Sequence, residues 1–144
     1  MVYDFKQRRI TMGNKKNKNG GPKDPMTNTR SMAREGMRIM RDIAHGKYNI
    51  YTEGHIFRNL EFVKATINEV DKRLVDHQIH INAIRYAYPN SNDPVVCNLL
   101  YRDERAYEAY VLMRTVLYDI LMSNGDTGFL MVLANKLPQF KYNI

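Results

Sequence analysis

Asp76, His77 and His80 fall within one turn of the central run of the chain. Two histidines three apart on a helix can present their imidazole nitrogens to one metal ion. The set falls short of a closed site. Two or three ligands leave a divalent ion open, no glutamate-containing zinc signature surrounds them, and His77 also occupies a place in a run of apolar residues. The sequence therefore favours a histidine hydrogen-bonded in the core, and neither metal nor cofactor is expected. No nucleophile elbow, phosphate loop or cysteine pair occurs, so no residue takes a catalytic role and the chain is not read as an enzyme.

Charge and aromatic surface offer a different chemistry. Residues 1 to 47 hold twelve Lys or Arg against four Asp or Glu, and residues 48 to 144 hold ten against eleven, so the whole net charge of +7 comes from the front. Lys15, Lys16, Lys18 and Lys23 stand in a Lys/Asn/Gly stretch, and Arg30, Arg34, Arg38 and Arg41 recur at helical spacing along one face. Guanidinium and ammonium groups in such numbers suit phosphate or an acidic protein surface, and a plain solvated face fits the same pattern. Tyr101, Tyr107 and Tyr118 lie off the apolar stripe of their helix, and tyrosine off a stripe is suited to an interface with another chain.

The elements that must position these groups are helices. Ile56, Leu60, Val63, Ile67, Val70, Leu74, His77, Ile81 and Ile84 follow one another at steps of four and three, which keeps one face of a helix against a partner. Val96, Leu99, Asp103, Ala106, Tyr110, Met113, Leu117 and Ile120 repeat those steps after the turn Pro89 to Pro94, with Asp93 as cap and Pro94 at the first helical position. The pattern predicts an all-α helical bundle built on an antiparallel hairpin of about 53–86 and 94–123. A shorter helix precedes it, starting at Pro25 or at a Thr27 or Asn28 cap and ending at His45-Gly46. Asn124-Gly125-Asp126 caps a short last helix that runs through Leu137. Folding the hairpin about residue 90 brings position 77 opposite 103, so His77 is expected to meet Asp103 as a buried polar pair that fixes the register.

A chain of 144 residues fits one domain, here residues 24–144, behind a basic flexible arm of residues 1–23 whose composition buries nothing. Cys97 is the single cysteine, which fits synthesis in a reducing compartment. The longest apolar run, Phe129 to Ala134, is far short of the roughly 20 residues that cross a bilayer, and no membrane partner is expected. Arg8 to Met12 can be encoded by AGG AGA ATA ACN ATG, one choice among synonymous codons, and that string would read as a bacterial ribosome-binding site ahead of a start, which makes Met12 a second candidate start beside Met1.

That string, the small helical domain, the basic arm and the Lys/Asn/Tyr/Ile-rich composition together resemble the small structural proteins of tailed bacteriophages, the crAss-like gut group among them. The resemblance is one of style and carries no motif. It implies a virion component made in the host cytoplasm, capsid-associated or at the head–tail connector. Its partners would be other virion proteins or copies of itself. The alternative is a non-specific nucleic-acid-binding protein that sets its arm and first helix on phosphates.

Overall fold

The computed structural model describes residues 28–144. The arm of residues 1–23, with Lys15, Lys16, Lys18 and Lys23, lies outside the described residues. Among those described the fold is all-α, with five α-helices: α1 (Thr29–Ala44), α2 (Ile50–Glu53), α3 (Leu60–Ala87), α4 (Pro94–Met122) and α5 (Leu130–Lys136). The long α3 and α4 run antiparallel, and α1 and the C-terminal segment pack on one side of them.

Local chemistry sets each boundary. Asn28 caps α1 by accepting from the Ser31 amide at 3.1 Å, and Gly46, with φ +71°, supplies the left-handed residue that stops it. The sequence pattern runs the long helix back to about residue 53, whereas α3 starts at Leu60. Asn49 caps the single turn α2, a 3-10 turn covers Gly54–Arg58, and the Asn59 carboxamide then accepts from the Glu61 and Phe62 amides at 3.0 and 3.2 Å. This second cap, ten residues after the first, starts a new helix. Phe57 and Phe62 meet edge to face across this corner with ring centres 5.3 Å apart, so both aromatics reach the core. Burial pushes the Tyr48 phenol up to about 12, with the charge of Glu53 adding to the effect, and its hydroxyl donates to the Glu53 carbonyl at 2.7 Å.

The turn and the second long helix follow the sequence signals closely. Asn90 takes φ +56°, Asp93 accepts from the Val95 amide at 2.9 Å, and Pro94 opens α4. The last helix is shorter than its apolar run suggests. Asp126 caps a 3-10 turn at Thr127–Phe129, α5 covers seven residues, and a further 3-10 turn, Leu137–Phe140, ends the core. Arg105 lays its guanidinium 4.3 Å from the centre of the Phe140 ring and fastens this end to α4.

The core is the place where four elements meet. Met37, Ile39, Met40 and Ile43 of α1 close on Phe62, Val63, Ile67 and Val70 of α3, on Ala109, Met113, Leu117 and Ile120 of α4, and on Leu130, Leu133 and Leu137. α1 crosses α3 at Gly36, where a side chain would run into Thr66: a Cβ at Gly36 would lie 2.0 Å from Thr66 Oγ1. Thr66 is fully buried and satisfies its hydroxyl by donating to the Phe62 carbonyl at 2.8 Å.

Buried contacts from α1 and the C-terminal segment end near Val70 on α3 and Ala106 on α4. Beyond that level the described residues give the two long helices little cover besides each other, Tyr142 and Asn143 reaching only the recess beside His77 and Asp103. Leu99, on the predicted apolar stripe, is consequently 47% exposed. Ile81 is the one buried residue of this outer half of the hairpin.

Candidate functional site

Three groups of side chains stand out once the fold is drawn: the arginines of α1, the polar cluster at the middle of the hairpin, and the outer face of the hairpin.

The arginine row is not uniform. Arg38 forks onto Glu35, Nη2 to Oε2 at 2.6 Å and Nε to Oε1 at 2.8 Å, and reaches Asp42 at 2.5 Å. Its hydrogen bond to Glu35 raises the guanidinium further and holds the Glu35 carboxyl below its ordinary value. Arg38 is thereby ion-paired within its own helix, with its side chain 49% exposed. No described residue forms an ion pair with Arg30, Arg34 or Arg41. Lys72 and Arg73 of α3 join them. Arg30, Arg34, Lys72 and Arg73 rim a groove of about 790 Å³ between α1 and α3, with Ala33 on its floor and Glu69 as its acid. Glu69 lies 3.4 Å from Arg73 and 4.0 Å from Lys72, so one carboxylate offsets two cations. The two α3 cations were not legible as part of this site, because only the crossing of α1 places them beside Arg30 and Arg34.

At the middle of the hairpin His77 and Asp103 meet, Nδ1 to Oδ1 at 2.7 Å. The pair is not buried as expected: the side chains are 26% and 19% exposed. The level at which they face each other is where α1 and the C-terminal segment give out. His77 stacks on Tyr110 with ring centres 5.6 Å apart, and His80 brings its Nδ1 to 3.6 Å from the same Asp103 oxygen. Asp76, grouped with the histidines in sequence, is exposed and has no part in the cluster.

The tyrosines divide. Tyr101 is 57% exposed, as an interface residue would be. Tyr107 and Tyr118 are half-buried, and Tyr118 packs against the core under the Arg114 guanidinium, 4.7 Å from its ring centre. Tyr118 thus belongs to the packing of the bundle, and both tyrosines keep part of their surface open.

The outer face of α3 was missed. Glu61, Lys64, Asn68 and Lys72 make its first half polar, and Val75, Ile79 and Tyr86 make its second half apolar, at 57%, 57% and 90% exposure. With Asn82 between them they form a second series at steps of four, three and four, turned away from the internal seam. That spacing was present in the sequence, but one seam had already accounted for the helix. Across the tip, Tyr88, Val95 and Tyr101 are likewise more than half exposed.

The class of molecule thus defined is an all-α bundle with a hairpin that outruns its own core. Compared with the models of known protein families, with curated proteins and with solved structures, the chain matches none. Among the described residues no helix is long and apolar enough to cross a membrane.

Proposed function

We propose that this chain is a non-catalytic assembly subunit of a tailed-phage virion, capsid-associated or at the connector, and that the outer face of its α3–α4 hairpin docks on a second copy of itself. The observation that carries the reading is the exposed series Val75, Ile79, Asn82 and Tyr86 on a helix whose solvent face is otherwise polar. An apolar stripe beyond the reach of the protein's own core costs solubility unless another surface covers it. The spacing of four, three and four reads the same in both directions. An antiparallel two-fold pairing therefore sets Val75 against Tyr86 of the second copy and Ile79 against Asn82, with no member left unopposed. Of the cations near this face, Arg85 is paired with Glu104, and Lys72, one step before Val75, lies 4.0 Å from Glu69 and falls outside the Val75 to Tyr86 overlap. The phage setting rests on the resemblance in composition and architecture alone.

Sedimentation equilibrium over a wide concentration range tests the docking. The full chain should show mass-action association above its 16.9 kDa monomer, and the Val75→Asp/Ile79→Asp variant should stay monomeric with unchanged helicity. A wild-type chain that remains monomeric throughout overturns the proposal. Mass spectrometry of purified particles tests the setting.

The groove between α1 and α3 supports a second reading, contact with a nucleic-acid backbone, because Arg30, Arg34, Lys72 and Arg73 converge there with a single acid. If that reading holds, affinity for a DNA duplex falls by orders of magnitude between about 50 and 200 mM salt, and the Arg30→Gln/Arg34→Gln variant loses both affinity and salt slope. Equal binding by that variant removes the groove from the account.

A further inference from the structure

The cluster at the middle of the hairpin has the chemistry of a metal site, and its third ligand is one that sequence proximity conceals. His77 Nδ1 and His80 Nδ1 lie 2.7 and 3.6 Å from one oxygen of Asp103, and a donor atom from each of the three residues falls within 4.8 Å of the other two. Donors bound to a common ion at 2.0–2.2 Å sit about 3.3 Å from one another. The two Asp103 contacts therefore change by about 0.6 and 0.3 Å, and the two imidazoles, whose donor atoms lie within 4.8 Å of each other, close by up to about 1.5 Å. The two histidines sit three apart on α3 and the carboxylate comes across from α4, so the backbone already holds the ligands on facing helices, as in metal sites built inside helical bundles.

Two more features bear on the kind of ion. His77 is held by stacking on Tyr110, with the rings inclined by only 20°, which orients one ligand before an ion arrives. His80 is 64% exposed, so the cluster opens to solvent and an ion can enter without unfolding the hairpin. A small recess of about 290 Å³ adjoins His77 and Asp103, with Arg102, Tyr142 and Asn143 on its walls, and leaves space for water in the remaining coordination positions. Two imidazoles and a single carboxylate suit zinc, cobalt, nickel or copper and do not suit calcium or magnesium, which demand more oxygen.

We propose that His77, His80 and Asp103 bind one divalent transition-metal ion of the zinc class, tying α3 to α4 at the level where the hairpin leaves the core. An ion bound at Nδ1 needs that nitrogen bare, so the hydrogen of the neutral imidazole sits on Nε2 in the loaded site. The ion bridges two helices at a height where, among the described residues, only the chain end at Tyr142 and Asn143 adjoins them. It would hold the hairpin straight for whatever docks there.

The test uses the untagged full chain, stripped of metal and titrated with Co²⁺. Visible d–d absorption reports coordination and thermal melting reports stability. One equivalent of Co²⁺ should bind, with an intense visible band and a raised melting temperature, and Zn²⁺ should displace it. His80→Ala removes an exposed side chain, and Asp103→Asn keeps the shape of the carboxylate. Each should weaken binding by at least about tenfold with helicity unchanged. A His45→Ala/His55→Ala variant, which alters the other two histidines, should bind as wild type does. The inference is overturned if no band appears at millimolar Co²⁺, if His80→Ala binds with wild-type affinity, or if the His45/His55 variant is the one that loses binding.

Discussion

Gly36→Ala is a substitution for which two physical effects predict opposite signs. In the middle of α1, alanine is the better helix former by about 1 kcal/mol, so propensity alone makes the variant more stable. The crossing with α3 says otherwise. The added Cβ would lie 2.0 Å from Thr66 Oγ1, 2.8 Å from its Cγ2 and 2.9 Å from its Cβ, whereas ordinary contact begins at 3.4 Å. Rotating Thr66 cannot clear all three atoms and would break its hydrogen bond to the Phe62 carbonyl. α1 must therefore move off α3 by up to about 1.4 Å, the difference between 3.4 and 2.0 Å, across the best-packed part of the core. Overpacking of this severity belongs at the upper end of the usual 1–3 kcal/mol, so after the gain in propensity the net loss is about 2 kcal/mol. For a domain of this size that lowers the melting temperature by about 8 °C, read by circular dichroism in a thermal scan. Thr66→Ala removes the two closest atoms, and in that background Gly36→Ala should cost at least about 1 kcal/mol less, a coupling measurable in a double-mutant cycle. An unchanged or raised melting temperature for Gly36→Ala alone would refute the close crossing of α1 on α3.

Two further outcomes follow from the ion pairs. Glu35 titrates below its ordinary value because Arg38 hydrogen-bonds its carboxylate, so the folded state holds that charge more tightly than the unfolded state does. The contribution is complete above about pH 4.5 and is lost as pH falls through the lower folded value, so Glu35→Gln should flatten that part of an acid unfolding curve. Asp103→Ala, with the pair part-exposed, should cost about 1–2 kcal/mol in metal-free protein and not the 3–5 of a fully buried pair. A double-mutant cycle with His77→Ala that shows additive effects would mean that the 2.7 Å contact contributes nothing to stability.

The hairpin could be read from the chain because its signals are local: steps of four and three on both arms, and a turn whose Asp93-Pro94 pair both caps and starts a helix. The meeting of His77 with Asp103 needed only that turn and a count of residues on each side. What could not be read depended on a third element. The break at Asn59 comes from a second cap inside a run whose apolar spacing continues through it. The partial exposure of His77 and Leu99 depends on how far along the hairpin α1 and the C-terminal segment reach, which no spacing within α3 or α4 records. Lys72 and Arg73 joined the arginine groove for the same reason. The ion pairing of Arg38 is a different case, since Glu35 three residues before it and Asp42 four after it are the usual partners on a helix and were already in view.

The account turns on the hairpin as the surface that meets a second copy, and Cys97 offers a direct probe of it. This sole cysteine of the chain is exposed on α4 a few residues past the tip. A nitroxide attached there reports the separation between copies by pulsed dipolar spectroscopy. Antiparallel docking of the Val75 to Tyr86 series holds the two labels at one fixed separation, so a defined distance peak should appear at concentrations where the chain associates and vanish in the Val75→Asp/Ile79→Asp variant. Association that gives only the featureless decay of unrelated spins, or a peak that persists in that variant, would contradict the claim that copies meet through the hairpin.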